Sequence, residues 1–344
     1  MIIIIILFFV IISQKLKRNN YKEKFFLPMS FSRIIKIKSS SQRKQIVNTP
    51  LVSLYSEYKE IENFIPPNFF CFNFEDLSAV KDQGYLCGSC WAMVVSGLLA
   101  DRIIFRYNAT VNIDLSEQQL LDCYNKDGCN GASPEEVFKW MIDTKFVLGL
   151  QKNEPYEQMN TSVIKGKCHL HNENDGISLN KDVIYSLVIY TESTDPNNPI
   201  IKNNVLNMKK ELIINGPFFA TISIYADFFK FVETEPYYNK TNILSGGHAI
   251  IIVGYCNPGT DSREKYNQGY WICKNSWGKL WPKNSIYPGY FTILMGKNVC
   301  GIESRCGSIS PDVKDIIPKN KLFAITDINY WFGEFINTPS WQQR

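Results

Sequence analysis

Only three histidines, His169, His171 and His248, are available for imidazole chemistry in this chain of 344 residues, and one of its ten cysteines, Cys90, stands where a reactive thiol is expected. The stretch Gln83-Gly84-Tyr85-Leu86-Cys87-Gly88-Ser89-Cys90-Trp91-Ala92 precedes Met93, Val94, Val95, Leu98, Leu99, Ile103, Ile104 and Phe105. That apolar spacing predicts a helix from Cys90 to about Tyr107. A helix N-terminus offers unpaired N–H groups and a partial positive charge, which favour a thiolate. Gly88 and Ser89 allow a sharp turn into the helix and leave the Cys90 N–H free to face a developing oxyanion. The Cys87-x-x-Cys90 spacing is also that of a thioredoxin-like redox pair, so these residues alone leave two chemistries open.

The other two candidates sit on strands. Ser245-Gly246-Gly247-His248-Ala249-Ile250-Ile251-Ile252-Val253-Gly254-Tyr255 is a glycine turn running into a β-branched apolar stretch, hence a buried strand with His248 at its mouth. A lone histidine there is compatible with a structural role. Gly269-Tyr270-Trp271-Ile272-Cys273-Lys274-Asn275-Ser276-Trp277-Gly278 predicts a second strand, and antiparallel pairing of the two can bring Asn275 beside His248.

With Cys-Gly-Ser-Cys-Trp at 87–91, His248 after its glycine pair and Asn-Ser-Trp-Gly at 275–278, the chain resembles the papain-like cysteine peptidases. Asn215-Gly216-Pro217, Tyr225-Ala226-Asp227-Phe228 and Cys300-Gly301-Ile302-Glu303-Ser304 bring it nearest to the cathepsin B-like branch. The resemblance runs from about Ile65 to Cys306 and is interrupted between His169 and Glu211. It implies an α+β fold of two lobes, a helical one (about 75–180) and a β-barrel-like one (about 181–306), with the active-site cleft between them. It also implies peptide-bond hydrolysis through an acyl-thioester. Cys90 would be the nucleophile, His248 the base and then the acid, Asn275 the group that orients the imidazole, and Trp277 the cover over the Asn–His contact. Gln83 and the Cys90 N–H would form the oxyanion hole.

By the same resemblance Cys87 pairs with Cys129 and Cys123 with Cys168. Cys71, Cys256, Cys273, Cys300 and Cys306 remain, an odd number, so at least one more thiol is free; Cys273, inside a buried strand, is the candidate. Ser116 is expected to cap a helix that begins at Glu117. Gly131 and Ala132 would present backbone to an extended substrate. Ser133, Pro134, Gly246, Gly247 and Ala249 would line the cleft and its pocket for the side chain two positions before the cleaved bond. Arg305 stands where the branch carries a glutamate at the floor of that pocket, a reversal expected to disfavour arginine there.

Several departures from the family bear on function. Six residues separate Gln83 from Cys90, one more than usual, which either bulges out or withdraws the Gln83 amide. Ala132 replaces a glycine, and Trp281-Pro282 replaces Trp-Gly. Cys168-His169-Leu170-His171 evokes the paired histidines of a dipeptide-removing loop, but no cysteine follows before Cys256, so that loop cannot be closed by a disulfide. His169 and His171 are therefore expected to be solvated surface residues and the enzyme an endopeptidase.

The rest of the chain bounds location and partners. Apolar Ile2 to Ile12 is too short to span a bilayer and fits the core of a signal peptide (1–12). Between 13 and 64 eleven Lys and Arg face four Glu, an excess of +7, so residues beyond 64 carry −3 of the net +4. The basic character belongs to a leader read as a removable, inhibitory pro-segment, and a nucleic-acid partner is not expected. Sequons at Asn108, Asn160 and Asn239, with ten cysteines and no zinc spacing, fit the secretory route to a lysosome, a vacuole or the exterior. A monomer without cofactor or metal, and without stable membrane insertion after processing, acting on peptides or proteins, is the expectation. The extension 307–344 has no reading. The alternative function is a secreted, catalytically weak relative that binds peptides in the same cleft, and the Gln83 spacing is what favours it.

Overall fold

The first helix, α1 (Cys90–Tyr107), is buried on almost every side, with Trp91, Val95, Leu98, Leu99 and Ile103 fully enclosed. Removing each such side chain from water stabilises the fold by about 1.5–3 kcal/mol. The computed structural model describes residues 65–70, 77–107, 113–124, 128–158, 161, 166–172, 176–179, 184–285 and 287–309. The expected signal core, the basic segment to residue 64, Cys71, Asn108, Asn160 and residues 310–344 lie outside them. All described residues belong to one compact unit.

Around α1 pack α2 (Glu117–Tyr124) and α3 (Pro134–Asp143). Ser116 does cap α2, its Oγ accepting from Gln119 N at 3.0 Å. Pro134 opens α3 where a missing N–H costs nothing. A short antiparallel pair, β2 (Val147–Gly149) with β3 (Gly176–Ser178), completes this helical side.

The remaining strands form one antiparallel sheet. They are β1 (Asn68–Phe70), β4 (Ile184–Ser186), β5 (Phe218–Tyr225), β6 (Leu244–Cys256), β7 (Tyr270–Lys274), β8 (Tyr290–Leu294) and β9 (Cys306–Ile309). Their order is β4-β9-β5-β6-β7-β8, with β1 also on β6. β9 carries the ordered sheet three residues past the expected boundary at 306.

The region 169–211, where the resemblance is interrupted, contains most of a long helix, α4 (Pro199–Asn215), capped by the Asn198 side chain on Ile200 N. Its inward face mixes apolar Ile201, Met208 and Leu212 with polar groups that find partners. Asn204 bonds Ile189 and the Glu303 carbonyl, and Glu211 takes Arg102 of α1 at 2.6 Å and Ser308 of β9 at 2.7 Å. Ile201, Val205, Met208 and Leu212 do recur at helical spacing, but buried polar residues between them, such as the partnered Asn204 and Glu211, dilute that stripe.

Candidate active site

The corner before α1 is fixed by several ties. Cys87 and Cys129 form a disulfide, Gly88 N donates to Cys129 O at 2.7 Å, and Trp91 Nε1 donates to Gly128 O at 2.8 Å. A Cβ at position 88 would stand 2.7 Å from the Cys129 carbonyl oxygen, so only glycine fits. Ser89 O accepts from Ala92 N and Met93 N, closing the first turn beneath Cys90. Cys90 is half-buried, and N–H groups of Ala249, Trp91 and Cys90 itself point at its sulfur. Burial raises the thiol pKa above its ordinary value, and those three donors offset only part of that rise.

The contact with Ala249 places the sulfur at the mouth of β6, one residue from His248. β6 pairs with β7 so that Ile251 faces Lys274, which brings Asn275 level with Ile250, the next residue after His248 on the same face of β6. His248 Nε2 lies 2.7 Å from Asn275 Oδ1, and Ser276 N also donates to that oxygen at 2.9 Å. The oxygen is thus an acceptor, the imidazole proton sits on Nε2, and Nδ1 keeps its lone pair. The Trp277 ring stands 4.9 Å from the His248 ring, with Phe228 behind both. This enclosure lowers the His248 pKa to about 4, against the opposing effect of the Asn275 bond. Trp281, joined to Pro282 by a cis peptide, packs 4.8 Å from Trp277.

The extra residue before Cys90 has bulged out. Tyr85 and Leu86 are 102% and 58% exposed, whereas Gln83 is buried at 7%. Gln83 N donates to Ser276 O at 2.9 Å, its Oε1 accepts from Ser276 Oγ at 2.8 Å, and its Nε2 donates to Cys87 O at 3.1 Å. An amide nitrogen carries two hydrogens, so one remains for another acceptor. Tyr156 donates to Gln83 O at 2.8 Å and so accepts from Ser89 Oγ at 2.7 Å, joining the two sides of the corner.

Of the other cleft candidates, Gly131, Ser133, Gly246 and Gly247 are exposed, Ala132 is half-buried, and Pro134 and Ala249 are buried. Gly131 has φ +98, a backbone that glycine adopts without strain. Thr221 faces Ala249 across β5 and β6, and Thr221 N donates to Arg305 O at 2.9 Å. Arg305 therefore lies about two strand spacings, roughly 10 Å, from Ala249. Its exposed guanidinium stands 5.8 Å from the Tyr190 ring at the edge of a cavity of about 550 Å³, lined also by Ser223, Tyr225, Asn239 and Lys297. Tyr190 and Tyr225 were not among the residues foreseen for this wall.

His169 is exposed, as expected, whereas His171 is half-buried. Both turn to Glu154 Oε1, at 3.4 and 2.9 Å. Cys168 joins Cys123, not a later cysteine. Four thiols besides Cys90 are free among the described residues: Cys256, Cys273, Cys300 and Cys306, all buried. No group of three or more His, Cys, Asp or Glu among the described residues is arranged to hold a metal, and no described helix is long and apolar enough to cross a membrane.

A residue not foreseen is Lys274, the neighbour of Asn275. Its signal was present: a lysine in an otherwise apolar buried strand must find a counter-charge. It finds Asp101 on α1.

Comparison with known proteins agrees with this geometry. The family described as papain family cysteine protease matches residues 71–309. Cathepsin B-like cysteine proteinase 4 of Caenorhabditis elegans is 27% identical over 297 residues, 76% of this chain and 82% of that protein. Oryzain gamma chain of Oryza sativa subsp. japonica is 33% identical over 235 residues, 67% of this chain and 56% of the plant protein's length. Among solved structures, procathepsin B S9 from Trypanosoma congolense shares the fold with a TM-score of 0.56 at 22% identity, covering 72% of this chain and 77% of that one.

Proposed function

The chain belongs to the papain family of cysteine proteases, and from that premise we propose that it hydrolyses peptide bonds through Cys90, His248 and Asn275. His248 Nδ1 takes the thiol proton as the Cys90 sulfur bonds the substrate carbonyl carbon. The oxyanion is held by the Cys90 N–H and by the spare Gln83 Nε2 hydrogen. The imidazolium then gives its proton to the leaving amine, the C–N bond breaks, and an acyl-thioester remains. Water, deprotonated by His248, attacks the thioester carbon, the C–S bond breaks to release the acid, and the imidazolium returns the proton to sulfur. Asn275 Oδ1 holds the Nε2 proton throughout, so Nδ1 always faces the reaction.

The observation that carries this reading is the 2.7 Å contact of His248 Nε2 with Asn275 Oδ1, next to an Ala249 N–H aimed at the Cys90 sulfur. The seated Gln83 supports a working enzyme over a weak binding relative. The Glu154 pairing of His169 and His171, with Cys168 bound to Cys123, supports an endopeptidase over an enzyme that trims dipeptides. Synthesis as a zymogen inhibited by residues 13–64, with a signal at 1–12, entry into the secretory pathway and delivery to a lysosome, a vacuole or the exterior belong to the same proposal. The basic leader and the two disulfides support it. Incubating the processed enzyme with a denatured protein and sequencing the products tests it: internal cuts are expected, and Cys90→Ala should make none. Removal of terminal dipeptides alone would reject the endopeptidase reading, and cutting that survives in Cys90→Ala would reject the nucleophile.

A further inference from the structure

The loop that leads from Gln83 into Cys90 is one residue longer than is usual in the family, and Tyr85 and Leu86 at its crest stand in water. In the proposed reaction the two ends of this loop carry the two oxyanion donors, the Gln83 amide and the Cys90 N–H. Their separation decides whether both reach one oxygen. An added residue gives the loop more conformations, so the separation has to be fixed from outside it.

Tyr156 is placed to do this. Its hydroxyl donates its one hydrogen to Gln83 O at 2.8 Å and accepts from Ser89 Oγ at 2.7 Å. One phenol oxygen thus joins the residue that bears the amide to the residue next to the nucleophile. Ser89 is fully buried, and its carbonyl closes the first turn of α1 with Ala92 N and Met93 N. The tyrosine is itself pinned on both sides by the start of α2. Ser116 Oγ donates to Glu154 O at 2.7 Å, and Glu157 N donates to Gln118 Oε1 at 3.0 Å. The other ties of Gln83 differ in kind. Its N and Oε1 bond Ser276 and set it against the residues after β7, and its Nε2 bonds Cys87 O, inside the loop. Burial pushes the Tyr156 pKa up to about 12, so the hydroxyl keeps its hydrogen at neutral and acid pH.

We propose that Tyr156 is a positioning residue of the oxyanion hole, whose hydroxyl bridge from Gln83 O to Ser89 Oγ sets the Gln83 amide against the Cys90 N–H across the lengthened loop. The inference rests on the peptidase reading above and adds a residue to it. Tyr156 acts through Gln83 and not on the substrate itself. A donor misplaced by about 1 Å can cost about 10²-fold in rate, so a single bridging hydroxyl is enough to matter.

Tyr156→Phe in the processed enzyme keeps the ring and removes the bridge. For a peptide substrate kcat should fall about tenfold, short of the loss of a whole donor, with KM within about twofold of the wild type. In a Gln83→Ala background the same substitution should cost less than about twofold, because the donor it positions is already gone. Alkylation of Cys90 by iodoacetamide develops no oxyanion, so its rate should be unchanged in Tyr156→Phe. A tyrosine that only supports the fold would lower alkylation and catalysis together and give the same loss in both backgrounds. If the thermal midpoint shows that Tyr156→Phe does not fold, Ser89→Ala cuts the other half of the bridge and should give the same pattern. An unchanged kcat, equal losses with and without Gln83, or alkylation that falls with kcat would overturn the inference and leave the peptidase reading intact. Absence of turnover by the wild type would overturn both.

Discussion

Lys274 Nζ lies 3.0 and 3.1 Å from the two carboxylate oxygens of Asp101, joining the strand that leads into Asn275 to the helix that begins at Cys90. Both side chains are buried, and Ser78 O and Oγ take the remaining ammonium hydrogens at 2.6 and 2.8 Å. The candidate nucleophile and the residue that orients its base are thus held by one desolvated ion pair. Burial lowers the Lys274 pKa and Asp101 restores part of the loss. Asp101→Ala leaves a buried ammonium without its counter-charge, and urea denaturation should show a loss of about 3–5 kcal/mol. A loss below about 1 kcal/mol would show that the pair does not brace the two elements.

The His248 environment fixes an acid limit. With a pKa of about 4, the imidazole is neutral and can accept the thiol proton above that pH, so kcat/KM should fall about tenfold per unit below it. Between pH 4 and the ordinary value of 6.5, the unfolded chain binds a proton at this position that the folded chain does not. The His248 contribution to stability therefore rises with pH across that window. A pH–rate profile whose acid limb lies near 6.5 would contradict the enclosure of the histidine.

Glu233 acts in the opposite direction. Burial pushes its carboxyl up to about 7, with Thr292 N and Oγ1 holding one oxygen. Below pH 4.5 both folded and unfolded states are protonated there; from 4.5 to 7 only the unfolded chain ionises, so stability declines as pH rises. Glu233→Gln should therefore gain stability over the wild type at pH 7.5, by up to roughly 3 kcal/mol, and little at pH 4. Thermal unfolding at the two pH values checks the difference. A gain that is equal at both would show that the carboxyl titrates normally.

Gln83→Ala removes one proposed oxyanion donor. The expected loss is about 10²–10³ in kcat with little change in KM. A loss under about threefold would mean that the Gln83 amide, though seated, does not reach the oxyanion.

Arg305 brings an exposed cation to the edge of the cavity beside Ser223 and Tyr225. Library profiling should show arginine disfavoured two positions before the cleaved bond, and Arg305→Glu should raise its use at least about tenfold relative to leucine. A wild-type preference for arginine, or a profile indifferent to the substitution, would remove Arg305 from specificity.

The catalytic candidates were legible because each sits at the end of an element with a strong apolar pattern. α1 covers Cys90–Tyr107, as its spacing predicts, and the β6–β7 pairing that carries His248 and Asn275 follows from two β-branched, aromatic runs. What escaped was polar and buried. Helix α4 turns Asn204 and Glu211 inward, and a pattern search has no means to see that Asn204 meets the Glu303 carbonyl 99 residues away. The fate of the extra residue near Gln83 was equally hidden, because it depends on Ser276, a partner 193 residues distant. Lys274 fell between the two cases: its burial followed from its strand, but its counter-charge did not.

The central claim, that Cys90 is a thiol made reactive by its place against β6, is tested most directly by labelling the processed enzyme with an epoxysuccinyl thiol-protease inhibitor and mapping the adduct by mass spectrometry. Cys256, Cys273, Cys300 and Cys306 are also free but buried, so they serve as internal controls. One inhibitor per chain, on Cys90, with none in Cys90→Ala and much slower labelling in His248→Ala, is the predicted result. No adduct, or an adduct on any other cysteine that persists in Cys90→Ala, would contradict it.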